Sequence, residues 1–426
     1  MTMSKVTKPQ ISTQGCESVF FKKTFSEVFG YLANNTFSRD LLTSRISTYR
    51  NVHYGDILVK FGETLDVEKD DLPYVSTEVL DKAKQFPQLN NGDVIIADTA
   101  EDETVGKCTE IVNIGKAKVI AGLHTMACRP KGQFAPGYLG FYMNSPKYHD
   151  QLLPLMQGTK VTGVSKTAIL ETKLLYPSFE EQKDIVHFLT SLNKAIAVNE
   201  SEIAKLQDIK NAYRSMLFPR SGEKKPRLRI KGFSEDWISL PLRDFANKVT
   251  TKNTAGTVSE SFTNSAEFGI VSQLDFFDHE ITNESNNTNY FVVNEDDFVY
   301  NPRISTFAPV GPINRNKLGR KGIMSPLYMV FSIQGIDPMY LEYYFQTTLW
   351  HHYMKMNGNT GARHDRFSIS DENFFNMPIP TPNIDEQKAI GNMLNNIDIL
   401  ISTQSRRLVK LKHMKSACLD RMFVTE

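Results

Sequence analysis

A chain of 426 residues exceeds one ordinary hydrophobic core and implies about two to four domains. With 40% apolar and 23% charged residues it is neither disordered nor membrane-like, and no apolar run is long enough to span a bilayer. Lys plus Arg (49) nearly balances Asp plus Glu (48), so any nucleic-acid binding must come from local patches.

The first residues, 1–17, form a polar tail without the apolar run of a signal peptide. Residues 18–160 carry short strand-like runs broken by turn residues: Asp56-Ile-Leu-Val-Lys-Phe, Asp93-Val-Ile-Ile-Ala and Lys118-Val-Ile-Ala. An aromatic helical segment follows from Pro136 to Gln151, and then a polar loop, Gln157-Gly-Thr-Lys-Val-Thr-Gly-Val-Ser-Lys. Residues 161–220 hold a long helix. Ser178 and Glu181 have capping-box spacing, and Ile185, Leu189, Leu192, Ile196, Ile203 and Leu206 recur at three- and four-residue spacing.

Ser221 to Gly232, rich in Pro, Gly and charge, reads as a linker. Residues 221–362 repeat the strand-rich pattern, with Phe298-Val-Tyr, Tyr328-Met-Val-Phe and an aromatic helix from Pro338 to Met354. Residues 363–426 bring a second long helix, capped by Asn383 and Glu386, with Ile390, Leu394, Ile397, Ile401, Leu408 and Leu411 on its seam.

The two halves are copies. Shifting the sequence by 205 residues lays Glu180–Phe218 on Asp385–Phe423 with eleven of thirty-nine positions identical. Pro136, Tyr138, Leu139 and Tyr142 likewise match Pro338, Tyr340, Leu341 and Tyr344. The predicted architecture is α+β. Two mixed, β-rich modules are joined by two long helices that form an antiparallel coiled coil, the whole being an internal duplication with pseudo-twofold character. Asn199 matches Gln404 and Lys210 matches Lys415 as polar breaks in the seams, which suggests that the helices pair with each other.

Chemistry is sparse. There is no P-loop, dinucleotide fingerprint, HExxH, GxSxG or CxxC pattern, and Asn301-Pro-Arg-Ile departs from the Asn/Asp-Pro-Pro-aromatic tetrapeptide of adenine methyltransferases. No catalytic residue, metal site or cofactor is expected. The four scattered cysteines fit a reducing cytoplasm. What stands out is local basic charge on turn-rich loops: Asn314-Arg-Asn-Lys-Leu-Gly-Arg-Lys-Gly, and Asn357 to Ser368 with Arg363 and Arg366. Loop cations can hold phosphates, and arginine can grip guanine bidentately. The candidate DNA-binding residues are Arg45, Arg50, Lys107, Arg129, Lys160 and Lys166 in the first half. In the second half they are Arg303, Arg315, Lys317, Arg320, Arg363 and Arg366. The competing reading of such loops is solvated surface.

Two segments carry a resemblance, Tyr176-Pro-Ser-Phe-Glu-Glu-Gln-Lys and Pro380-Thr-Pro-Asn-Ile-Asp-Glu-Gln-Lys. Each follows a variable module and opens a heptad helix. With the lead-in Pro226-Arg-Leu-Arg-Ile-Lys-Gly-Phe-Ser-Glu-Asp-Trp, the whole chain resembles the DNA-specificity subunit of type I restriction-modification systems. The resemblance implies two target-recognition domains that each read half of a split double-stranded DNA site, with the coiled coil fixing their separation. It also implies two docked methyltransferase subunits and further restriction subunits, with catalysis left to those partners. The alternatives are a coiled-coil adaptor without sequence-specific DNA binding, or a DNA-modifying enzyme with an unrecognised motif.

Overall fold

The computed structural model describes residues 20–158, 160–274, 284–360 and 365–424. The polar tail 1–17 and Arg363 lie outside the described residues. The chain divides into two compact units: Met1–Glu200 with Arg407–Glu426, and Ser201–Arg406.

In the first unit a five-stranded sheet has the order Phe29–Leu32, Thr125–Pro130, Val94–Ala97, Cys108–Val112, Thr64–Asp66. Its central strand, Val-Ile-Ile-Ala, is buried throughout. Side chains alternate between the faces of a strand. Accordingly Val94 and Ile96 enter one core, while Ile95 and Ala97 enter another with Val52, Ile57 and Val119. A second sheet of four strands contains Tyr49–Val52 and Lys118–Ala121 in parallel. The aromatic helix Tyr138–Met143 covers the first core and starts at Gly137.

The second unit has a four-stranded sheet in the order Ala246–Lys248, Met329–Ile333, Phe298–Tyr300, Ile313–Arg315. Phe298, Tyr300 and Phe331 pack beneath the helix Pro338–Phe345.

Both long helices have 38 residues, Phe179–Met216 and Ile384–Arg421, about 57 Å at 1.5 Å per residue. They begin later than the expected edges at 161 and 363. Residues 162–163 and 173–176 are strands of the first unit. The strand Lys173–Tyr176 pairs antiparallel with Phe21–Thr24, and Pro378–Thr381 pairs in the same way with Ile238–Pro241. So the strand before each helix closes its module against the module's first strand.

The helix starts repeat in atomic detail. Gln182 Oε1 accepts from Ala135 N at 3.0 Å while its Nε2 donates to Pro177 O at 3.0 Å. Gln387 does the same with Asp337 N and Pro382 O, both at 2.9 Å. This explains the paired Pro-x-x-x-Glu-Gln segments: the glutamine ties the helix start to its own module. Ser178 and Asn383 cap their helices, accepting from Glu181 N at 3.4 Å and Glu386 N at 2.9 Å. The expected reciprocal bond from Glu386 is replaced. Its buried carboxylate receives Arg229 Nε and Nη2, each at 2.8 Å, and Trp237 Nε1 at 3.2 Å. The segment expected to be a linker is therefore partly structural, and Leu228 and Ile230 pack against the second core.

The helices run antiparallel. In the first unit Asn193 and Lys415 share Glu63, and Glu200 meets Lys412 at 2.7 Å. The seam also does more than pair helices. Ile185 and Leu189 lie in the core of the first unit together with Cys418, Met422 and Phe423. Ile390 and Leu394 lie in the core of the second with Leu217 and Phe218. Phe423 meets Tyr138 and Tyr142 at 5.9 and 5.4 Å, as Phe218 meets Tyr340 and Tyr344 at 5.3 and 5.8 Å. Leu192 and Ile397 are buried, whereas Ile196, Ile203, Leu206, Ile401, Leu408 and Leu411 are half-buried. That is the exposure of a two-helix seam. No helix among the described residues is long and apolar enough to cross a membrane.

Candidate nucleic-acid interface

In the second unit the chain leaves the strand Phe298–Tyr300 and meets the returning segment that precedes the helix start. Phe367 N donates to Pro302 O at 2.7 Å and Ile304 N to Asp365 O at 2.9 Å. Between these bonds Arg303 stands directly opposite Arg366 in an antiparallel bridge. Opposed residues of such a bridge project from the same face, with Cβ atoms about 4.5–5.5 Å apart. Both arginines are exposed. Neither pairs with a carboxylate among the described residues. Like charges set opposite each other are unfavourable unless an anion lies between them.

Two clefts flank this pair. One, of about 210 Å³, is lined by Arg303, Asn264, Asn301 and Thr263; the other, of about 390 Å³, by Arg366, Lys248 and Asp371. Tyr328 lines both, its hydroxyl 3.3 Å from Thr263 Oγ1. Asn264 fixes the hairpin beside them. It donates Nδ2 to Val299 O at 2.7 Å, accepts from Asn314 Nδ2 at 2.7 Å, and its carbonyl accepts from Asn301 Nδ2 at 2.8 Å.

The first unit builds the same junction. Gly163 stands opposite Thr99, and Val164 N donates to Asp98 O at 2.9 Å. The loop that carries Lys160 is closed by mutual backbone bonds between Gln157 and Gly163 at 2.9 and 2.8 Å. Gly158, at φ 121°, is required there, since a Cβ would sit 2.0 Å from Val161 O. Lys160 is exposed. Lys166 is exposed too, with Nζ 3.3 Å from Asn34 Oδ1 and 5.7 Å from the Tyr31 ring centroid.

The remaining candidates are placed differently. Arg45 is exposed in a loop. Arg50 donates to Val67 O at 2.6 Å and lies 5.4 Å from the Tyr74 ring centroid. Lys107 donates to Leu58 O at 2.8 Å, and burial pushes its pKa down. Arg129 forks onto buried Asp93 at 2.9 and 2.7 Å. Arg315 pairs with Asp296 at 2.6 Å and Glu342 at 2.7 Å, and Lys317 joins Glu342 at 2.5 Å. Arg320 grips Glu260 through two 2.7 Å bonds. These four cations are held by carboxylates of their own module. The basic run at 314–322 thus has an internal structural use that its local sequence did not disclose. Tyr328, Thr263 and Asn264 were not singled out as site residues, because an isolated polar residue at a strand end carries no periodic signal.

Residues 47–208 match the family model of the type I restriction modification DNA specificity domain. Over that stretch the chain is similar to the DNA-specificity subunits of type I restriction-modification systems. A relative from Methanocaldococcus jannaschii, assigned as the specificity subunit of the type I restriction enzyme MjaX, is 22% identical over 389 residues, covering 85% of this chain and 82% of that one. The crystal structure of a type I S subunit from M. genitalium superposes with a TM-score of 0.55 at 11% identity, covering 98% of this chain and 99% of that one. A chain from a structural study of complex assembly and conformational transition in the type I system gives 0.54 at 16% identity, with 98% of both covered. At these identities the structural likeness is one of fold, and it matches the specificity-subunit architecture of strand-rich modules with long helices.

Proposed function

We propose that this chain is a specificity subunit that recognises a two-part double-stranded DNA site, each module reading one half. The observation that carries the reading is the repeated junction. In both units a basic loop just before the helix start is strapped by a β-bridge to the segment leaving the central strand. In the second unit this sets Arg303 beside Arg366 on one face. The exposed cations Lys160, Lys166, Arg303 and Arg366 bind phosphates or base edges from these junctions, together with Arg363 and Arg45. The polar clefts beside Tyr328 receive base edges. The paired helices act as the spacer between half-sites and as the scaffold for two methyltransferase subunits, to which restriction subunits add. The chain itself catalyses no step, and it works in the cytoplasm with its partners.

The test is binding to a cognate duplex by the full chain with its methyltransferase partner, measured across salt concentrations. Each lost phosphate contact removes about 0.9 from the slope of log K against log salt. Arg303→Ala with Arg366→Ala is expected to weaken binding about tenfold or more and to flatten the slope by about two. Unchanged affinity and slope would remove this face from the interface. Binding without any sequence preference would favour the adaptor reading instead.

A further inference from the structure

Each unit has a cavity where its module meets the matched lysine of a long helix. In the second unit the cavity measures about 540 Å³ and includes Lys210, Gln346 and His351. In the first it measures about 580 Å³ and includes the counterparts Lys415, Asn144 and His149. The duplication thus preserved the cavity, but its charge reversed. Lys210, Arg214, Arg315 and Lys317 face only Glu267 and Glu342 in the second. Lys107 and Lys415 face Glu63, Glu103 and Asp150 in the first.

Three of the four cations in the second cavity are compensated. Lys210 meets Asp398 at 2.6 Å, and Arg315 and Lys317 share Glu342. Arg214 differs. Its guanidinium is half-buried, Nη2 donates to the neutral amide oxygen of Asn211 at 3.2 Å, and no carboxylate pairs with it among the described residues. Burial pushes its pKa down, and only the more distant charge of Asp398 opposes that. A half-buried guanidinium with no carboxylate in direct contact is costly. The fold does not require it, because the matched position in the first copy is Leu419, which packs against the core there. The cavity rim carries Phe307, 76% exposed, and Phe268, 61% exposed.

We propose that the cavity of the second unit binds a nucleotide, its phosphate on Arg214 and its base on the ring face of Phe307. Arginine's planar fork matches phosphate oxygens. The volume lies in the range of small-ligand sites, about 300–1,000 Å³. A bare inorganic phosphate would leave most of it, and the exposed rings, unused. Neither Arg303 nor Arg366 lines this cavity, although it shares Ala266 and Pro312 with the cleft beside Arg303, so the two sites are told apart by their own variants.

The experiment is calorimetric titration of the full chain with adenosine 5′-monophosphate, inorganic pyrophosphate and adenosine. The monophosphate is expected to bind, pyrophosphate to bind more weakly, and adenosine not measurably. Arg214→Leu, which installs the residue that the first copy tolerates, is expected to weaken both anions about tenfold or more while circular dichroism stays unchanged. Phe307→Ala, on an exposed side chain, is expected to weaken the monophosphate alone. Arg303→Ala with Arg366→Ala should leave all three titrations unaltered. No binding by the monophosphate, equal binding by adenosine, full affinity in Arg214→Leu, or full affinity for the monophosphate in Phe307→Ala would each overturn the proposal.

Discussion

Lys210 and Lys415 occupy the same position of the two long helices, 205 residues apart, yet each meets a carboxylate from a different source. Lys210 Nζ lies 2.6 Å from Asp398 Oδ1, a helix residue, and the module adds Tyr343, whose hydroxyl donates to Asp398 Oδ2 at 2.7 Å. Lys415 Nζ lies 2.6 Å from Glu63 Oε1, a module residue, and the helix adds Asn193 Nδ2 at 3.2 Å. Asn193 is itself the counterpart of Asp398. After duplication, then, the carboxylate sits on opposite sides of the same helix–module contact, and the lysine is held in both.

This arrangement predicts coupling between Lys210 and Asp398. Their side chains are 17% and 32% exposed, so part of the cost of a buried charge applies. Lys210→Met and Asp398→Asn should each lower unfolding free energy by about 1–2 kcal/mol, and the double variant by about 1 kcal/mol less than their sum. Urea denaturation of the four proteins measures it. Strict additivity would mean that the pair is only a proximity.

Arg129 and Arg303 should separate stability from binding. Arg129→Ala strands the buried Asp93 carboxylate and should cost about 2–4 kcal/mol of stability. Arg303→Ala removes an exposed side chain and should leave the melting temperature nearly unchanged while weakening DNA binding. A thermal scan beside a binding isotherm, run on both variants, reads this directly. The reverse pattern would reassign the two residues.

Glu110 gives the first unit a pH dependence. Its carboxylate is buried and accepts from Gly137 N at 2.7 Å and Gly140 N at 3.0 Å. Burial outweighs those bonds and pushes its pKa from 4.5 to about 7. Between these values the unfolded chain gives up the proton that the folded chain keeps. Stability therefore falls as pH rises through this window and levels off above it, by an amount on the order of 3 kcal/mol. Glu110→Gln should flatten that slope in urea titrations from pH 4.5 to 7. A variant that keeps the wild-type slope would place the titration elsewhere.

The spacer role makes a geometric prediction. Seven residues added to each long helix near its middle lengthen it by about 10 Å, or about three base pairs of DNA. The half-site sequences should stay the same while the gap between them grows, as read by methylation mapping with the partner subunits. An unchanged gap would mean that the helices do not set the distance.

The duplication, the two long helices and their caps could be read from the sequence alone, because caps and heptad spacing are local signals, whereas the expected edges at 161 and 363 fell short of the helix starts at Phe179 and Ile384. Asn383 and Glu386 are three residues apart, and Ile390 and Leu394 four. Only the tertiary structure decided which cations are occupied and which are free to bind. Arg129 finds Asp93 36 residues away, Arg315 finds Glu342 27 away, and Arg229 finds Glu386 157 away. The same folding brings Arg303 opposite Arg366 and leaves Arg214 facing a cavity. Charge compensation is a long-range property of packing, so a basic loop reads alike in sequence whether its carboxylates are near or absent.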